Sequence, residues 1–206
     1  MNLHDFGMIP TLSYMDRLRY VIIRDFTAKW ELNDPAHRLE HFANVERCAL
    51  VIDDRLNLGQ DKALILLAAF FHDLFAWSRT NHHLLSETYV RTTDYHIFKG
   101  LLPDEREMVA LACGQHRASY KGEFSNVLCE LINAADRDLP GDVEAMMRRS
   151  LAYNLAQGHS QEEADRIMRT HLKEKFGVNG YARYPKIYQD AFGDELEQQR
   201  QDIMNI

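Results

Sequence analysis

Hydrophobic positions along most of the chain recur at three- and four-residue steps, the period of an amphipathic α-helix. Asp34 and Pro35 have the character of an N-cap followed by proline at the first helical position, and the apolar period after them continues to about Ile52. This pattern predicts a helix of about five turns. Residues 60–75 are apolar on nearly every side, which is typical of a helix in the middle of a bundle.

The same period predicts further helices, separated by breaks that contain glycine or proline. They fall at about 82–98, 103–118, 126–138, 141–157, 160–176 and 186–204. No segment alternates at period two, so we predict no strand. The expected fold class is all-α: one domain over residues 1–206, with a core at about 35–140 and a C-terminal helical extension at about 141–206.

Four of the predicted helices place side chains of metal-ligand type on the stripe that faces inward. The first carries two histidines one turn apart, and the second carries an adjacent histidine and aspartate about 100° apart around the helix axis. Two later helices contribute one inward-facing residue each. The residues concerned are His37, His41, His72, Asp73, His116 and Asp136.

The stretch AAFFHDLFAW, residues 68–77, buries His72 and Asp73 among aromatic side chains. Such burial costs several kcal/mol unless each polar group finds a partner. A histidine–aspartate pair is common by chance, and His4 and Asp5 form a second one near the N-terminus, which we interpret as accidental. A lone buried histidine more often bonds to a backbone carbonyl than to a metal. His72 and Asp73 are therefore candidate metal ligands only because other residues of ligand type also face inward.

Composition narrows the possible partners. The formal charge of −7 and the lack of a dense basic run make duplex nucleic acid an unexpected partner. The longest apolar run, residues 63–71, is too short to cross a bilayer, and the N-terminus lacks a basic flank followed by an apolar stretch, so we expect no membrane association and a cytoplasmic location. The three cysteines show no CxxC spacing, which argues against a cysteine zinc site.

The order histidine, histidine–aspartate, aspartate resembles the pattern of the HD-domain superfamily of metal-dependent phosphohydrolases. The resemblance rests on His41 followed by Val45, on LAAFFHDLF and on LINAADRDL, and it spans roughly residues 35–140. It implies an HD-domain helical bundle. The metal ligands that it implies are His41, His72, Asp73 and Asp136.

Two further matches, HHLLSE and GQH, resemble the extra histidines of superfamily members that hold two metals. They add His82 and His116 as ligands, with His83 as an alternative to His82. Asp73 is then the natural bridge between two ions, since a carboxylate can give one oxygen to each. The resemblance thus implies one or two ions per chain and a catalytic role for Asp73, His82 and His116.

Imidazole and carboxylate ligands without thiolate suit manganese, iron, cobalt, nickel or zinc. Such an ion lowers the pKa of bound water, so the implied reaction is attack of hydroxide on a phosphoester of a nucleotide or similar small phosphorylated metabolite. Basic side chains near the site are expected to bind the phosphate. The candidates are Arg79, Arg117, Lys121 and Arg137.

Three alternatives remain. HRLEH, residues 37–41, matches the HxxEH pattern of inverted zinc peptidases, although that interpretation leaves His72, Asp73 and Asp136 unexplained. A few proteins of the superfamily are di-iron oxygenases. A non-catalytic module that binds a nucleotide or a partner protein is the third. The amphipathic C-terminal helices also permit a homo-oligomer.

Overall fold

The computed structural model describes residues 12–206, in which helices and turns account for all regular structure, so the all-α fold class is confirmed. The pair His4 and Asp5 lies outside the described residues. A short 3-10 turn occupies Pro35–His37. The α-helices are α1 (Tyr14–Trp30), α2 (Leu39–Leu56), α3 (Lys62–Phe71), α4 (His82–Thr92), α5 (His96–Lys99), α6 (Pro103–Gln115), α7 (Val127–Ala135), α8 (Val143–Ala156), α9 (Gln161–Phe176) and α10 (Lys186–Met204).

The first helix, α1, was missed by the sequence analysis. Its N-cap is Ser13, whose hydroxyl accepts a hydrogen bond from the backbone N–H of Asp16. Leu18, Ile22 and Phe26 recur at four-residue steps and are buried, so the helix packs one apolar face on the core. Both the cap and the period were present in the sequence.

The predicted helix that begins at Pro35 is interrupted. Asp34 caps only the 3-10 turn, accepting from the N–H of Ala36, and Arg38 then adopts an extended conformation before α2 begins. His37 therefore lies outside α2, and the one-turn spacing of the HxxEH motif is not formed on a helix. Glu40 is exposed. The peptidase interpretation loses its geometric basis.

Three helices end earlier than predicted, each at the residue before a candidate ligand. α3, α6 and α7 have His72, His116 and Asp136 as their C-caps. Beyond α7, Asp138 takes a left-handed conformation with φ of 59°, which ends the predicted helix 126–138. The predicted helix 82–98 is likewise divided, between α4 and α5. His72, His116 and Asp136 thus follow the last turns of their helices and do not lie within them.

The main hydrophobic core surrounds α3, whose residues from Leu64 to Phe71 are all buried. α2, α6 and α7 pack around it, α1 covers it, and the first half of α10 packs on α2 and α7. A second, smaller core lies between α8, α9 and the end of α10; it contains Val143, Met168, Leu172 and Ile203. None of the described helices is both long and apolar enough to cross a membrane.

The structure predicts that α1 contributes strongly to stability through Trp30. Its ring is 1% exposed and lies 5.0 Å from the Phe42 ring and 5.6 Å from the Phe70 ring, centroid to centroid. Trp30→Ala should lower the free energy of unfolding by roughly 3–5 kcal/mol, because it leaves a large cavity. Trp77, which is 55% exposed, is the matched control, and Trp77→Ala should cost less than about 1 kcal/mol. Urea unfolding curves measure both, and equal losses would contradict this packing.

Candidate metal centre

The candidate ligands converge in two groups that share the Asp73 carboxylate. One group contains His41, His72, Asp73 and Asp136, and the other contains Asp73, His82 and His116. Each carboxylate oxygen of Asp73 faces a different group. Oδ1 lies 3.3 Å from Nε2 of His82 and 3.2 Å from Nε2 of His116. Oδ2 lies 3.6 Å from Nε2 of His72 and 3.8 Å from Nε2 of His41.

Local helix structure orients three of the histidine rings. Nδ1 of His72, His116 and His82 lies 2.7, 2.7 and 3.1 Å from the backbone carbonyl oxygen three residues earlier. For His72 and His116, this carbonyl belongs to the last turn of a helix, where carbonyls lack an intrahelical donor. Each ring therefore donates from Nδ1 and presents Nε2 to Asp73, an arrangement that prepares histidine to bind a metal.

Helix ends also set the electrostatic field of the cluster. His72, His116 and Asp136 follow the C-terminal ends of α3, α6 and α7, where partial negative charge accumulates. With two buried or partly buried carboxylates, this field favours a cation. His41 and His82 lie in the first turns of α2 and α4.

The pKa values of the cluster report strong coupling between its charges. Burial lowers the pKa of His72, but the carboxylates of Asp73 and Asp136 outweigh burial and raise it to about 9. Burial raises the pKa of Asp73, but the charges of His72 and His116 hold it well below its ordinary value. For Asp136, hydrogen bonds from His41 and His72 likewise overcome burial and lower the pKa. In the absence of a metal, the proton on His72 supplies positive charge beside the two carboxylates.

The donor set fits a divalent ion. Oδ1 of Asp73 is buried and accepts no hydrogen bond among the described residues, so one oxygen of a buried carboxylate has no donor. Nε2 of His41 lies only 3.2 Å from Nε2 of His72, which brings two nitrogens of ligand type together. A cation between these groups would satisfy both features at once. The cluster can therefore hold a metal ion.

His37 lies beside the cluster although it is not part of either group. Its Nδ1 lies 2.9 Å from both carboxylate oxygens of Asp34, and its Nε2 lies 3.8 Å from Oδ2 of Asp73. The predicted inward orientation of His37 thus holds, but the 3-10 turn provides it and α2 does not. His83, the alternative to His82, joins neither group.

Two buried asparagines that the sequence analysis missed position the backbone around the cluster. Asn33 donates to the carbonyls of His37 and Asp73 at 3.0 and 3.1 Å. Asn133 donates to the carbonyls of Gln115 and Arg117, both at 2.9 Å, on either side of His116. The sequence carries no signal for most of these contacts, because the carbonyls of Asp73, Gln115 and Arg117 are distant in the chain from the asparagines that bind them.

Two adjoining cavities lie on the side of the cluster that faces α8 and α9. The His41 cavity, about 560 Å³, is lined by His41, Arg79, Tyr153 and His171 among others. The Asp136 cavity, about 790 Å³, is lined by Asp136, Arg137, Arg183 and Tyr184 among others. The candidate ligands His41 and Asp136 are thus accessible from the side covered by the C-terminal helices.

The four basic residues predicted to bind phosphate are divided between two sides of the cluster. Arg79 lines the His41 cavity but pairs with Asp34 at 3.3 Å. Arg137 lines the Asp136 cavity and donates to the backbone carbonyls of Asn133 and Arg183, which hold it in place. Arg117 and Lys121 line a shallower depression near His83. Their roles in substrate binding stay predictions.

Comparison with solved structures identifies the fold. The chain is similar to a predicted HD superfamily hydrolase from an uncultured Thermotogales bacterium, with a TM-score of 0.51 and 20% sequence identity, covering 82% of this chain and 90% of that chain. At this identity, the likeness shows the fold alone: the chain has an HD-domain fold. No family model matches the chain, and no curated protein matches it.

Metal binding to this cluster should release protons. With a pKa of about 9, His72 is protonated at neutral pH in the metal-free protein, and its Nε2 must lose that proton to bind an ion. Affinity for manganese should therefore rise as the pH increases from 6.5 to 9, and the calorimetric binding heat at pH 7 should depend on the ionisation enthalpy of the buffer. A binding heat that is identical in phosphate-free buffers of different ionisation enthalpy would contradict this coupling.

The sign of the stability change follows from the same shift. The pKa of His72 is raised above its ordinary value of 6.5. The interaction of protonated His72 with Asp73 and Asp136 therefore stabilises the metal-free protein fully below pH 6.5. That contribution is lost as the pH rises through about 9. Melting curves of chelated protein across this range measure the loss.

Proposed function

We propose that the protein is a metal-dependent phosphohydrolase that acts on a nucleotide or similar small phosphorylated metabolite. The observation that carries this proposal is the shared carboxylate of Asp73, whose two oxygens face two separate groups of ligand-type side chains. The HD-domain fold supports it, as does the similarity to a solved structure described as a predicted HD superfamily hydrolase. The accessible cavities beside His41 and Asp136 provide room for a metabolite-sized substrate.

The residues of the cluster would hold up to two divalent ions, with His41, His72 and Asp136 on one side of Asp73 and His82 and His116 on the other. Bound ions of this kind lower the pKa of water and neutralise charge on a phosphoryl group. Mixed nitrogen and oxygen donors favour manganese, iron, cobalt, nickel or zinc.

The protein's own contribution is to orient the ligands and to limit access by water. Backbone carbonyls fix three histidine rings, and α3 seals the cluster on the core side because its residues are buried. His37 is held by Asp34 at the edge of the cluster, with its Nε2 3.8 Å from Oδ2 of Asp73. Arg79 and Arg149 line the cavity beside His41.

The activity prediction uses a panel of nucleotides and other phosphorylated metabolites, assayed for phosphate release with added manganese, cobalt or nickel. Turnover should require the ion, and Asp73→Ala should reduce it by more than about 100-fold, because even the loss of a partner that orients a metal ligand costs 10–100-fold. The matched controls are Asp94→Ala and His159→Ala, which change exposed residues outside the cluster and should leave turnover unchanged.

Circular dichroism and melting curves will show whether Asp73→Ala remains folded. Absence of phosphate release across the panel, with ion-loaded and folded wild type, would contradict the hydrolase proposal. Oxygen consumption by the iron-loaded protein would then support the oxygenase alternative, and nucleotide binding without turnover or metal dependence would support the non-catalytic one.

The number of ions is a separate prediction. Elemental analysis of saturated wild type should give about two ions per chain, because each oxygen of Asp73 faces its own set of nitrogens. His116→Ala should reduce the ratio to about one by removing a ligand from the second group only. His83→Ala, which removes a neighbouring histidine outside both groups, should retain two. A ratio near one in wild type would contradict the two-ion arrangement and leave the hydrolase proposal intact.

A further inference from the structure

The two cavities beside the cluster share a wall that the C-terminal helices α8 and α9 build. Met146, Arg149, Lys175 and Phe176 line both cavities from α8 and α9, and both cavities are also lined by Glu40 and Asn44 of α2 and by Asp138. The apolar part of this wall comes from Met146 and Phe176, and its charged part from Arg149 and Lys175. A molecule bound at His41 or Asp136 would therefore contact both an apolar surface and cationic groups of the C-terminal helices.

Most basic side chains around these cavities already have partners. Arg79 pairs with Asp34, Arg149 pairs with Asp138 at 2.9 Å, and Arg148 pairs with Glu144 at 3.5 Å. Arg137 donates to backbone carbonyls. Their charges are at least partly compensated within the protein, so they attract a ligand less strongly than a free cation does.

Lys175 differs from these four residues. It also lines both cavities, whereas Arg47 and Arg183, which likewise form no ion pair among the described residues, line only the Asp136 cavity. Its ammonium group makes no hydrogen bond and has no carboxylate within 4 Å in the part of the chain that the structure describes, and its contact is the Phe176 ring at 4.8 Å from the centroid. The side chain is partly buried in the cavity wall. A partly buried charge without a counter-charge is unfavourable, and an anion in the cavity would relieve this cost.

The acidic group whose charge acts on Lys175 is Asp136, a member of the cluster. Burial lowers the pKa of Lys175, and Asp136 opposes that shift in part. Asp136 already accepts from His41 and His72 at 3.3 and 3.5 Å. A divalent ion at the cluster would engage the same carboxylate more strongly, which leaves Lys175 with still less compensation.

We propose that Lys175 forms a second anion-binding position in the substrate pocket, which takes an anionic group of the substrate other than the phosphate at the cluster. This inference rests on the proposed phosphohydrolase function. It defines the substrate class as metabolites with two separate anionic groups, joined by a segment that lies against Met146 and Phe176. It also gives the C-terminal helices a role in selecting the substrate.

Bisphosphonates of increasing alkyl chain length test this position, because one phosphonate can occupy the cluster while the other reaches along the cavity without being hydrolysed. Each is compared by calorimetry with the alkyl monophosphonate of the same length, on manganese-loaded protein. Wild type should bind at least one bisphosphonate about tenfold more tightly than its monophosphonate, as expected for one added charge-assisted contact.

Lys175→Met should abolish this gain and leave monophosphonate affinity within about twofold. Lys175→Arg should restore the gain, since it keeps the charge. The matched control is Lys173→Met on the same helix, a partly buried lysine that lines neither cavity, and it should behave as wild type. Melting curves exclude misfolding of the variants.

Equal affinities for Lys175→Met and Lys173→Met throughout the series would overturn the inference, and so would a wild type in which no bisphosphonate exceeds its monophosphonate. The proposed function has a separate readout, which is phosphate release from the metabolite panel. A bisphosphonate gain that depends on Lys175, in a protein without hydrolytic turnover, would support the anion position and reject the hydrolase.

Discussion

The burial of the Asp73 carboxylate is the constraint around which the rest of the structure is arranged. A charged carboxylate among aromatic side chains is stable only where hydrogen-bond donors or positive charge approach its oxygens. Histidines from α2, the ends of α3 and α6, and the start of α4 meet this requirement from different directions. The packing of these helices therefore depends on the interactions that compensate the Asp73 carboxylate where the helices meet.

Helix termination is as important to this arrangement as helix formation. A histidine within a helix has its backbone carbonyl neighbours engaged in the helical ladder, whereas one that follows the last turn can use a free carbonyl to orient its ring. His72 and His116 both do so. Asn33 and Asn133 then hold the irregular segments between helices, where backbone groups would otherwise be buried without partners. The cluster is precise because the loops around it are fixed by hydrogen bonds.

The sequence was sufficient for the fold class and for the convergence of His41, His72, Asp73 and Asp136, because helical periodicity places side chains on a face and the ligand order resembles a known superfamily. It was not sufficient for the break at Arg38, since Asp34 and Pro35 start a helix equally well whether it is long or short. α1 had a cap and an apolar period, so that helix was predictable and was missed.

Features that depend on tertiary packing had no sequence signal. The hydrogen bond from Asn33 to the carbonyl of Asp73 joins residues forty positions apart, and the isolation of Lys175 is a property of its neighbours in space. A lysine near the end of an amphipathic helix is usually a solvated charge that interacts with the helix dipole. Only the position of α9 over the cavities distinguishes Lys175 from Lys173.

The presence of two hydrophobic cores of different size has a consequence for motion. Local opening requires less free energy where few apolar contacts are buried, and the core that holds α8 and α9 has four fully packed residues against the many around α3. We expect α8 and α9 to separate transiently from α10 while the main core stays closed. Ligands could then enter and leave through fluctuations of the C-terminal helices, on a timescale set by that small core, while the ligand cluster itself stays rigid.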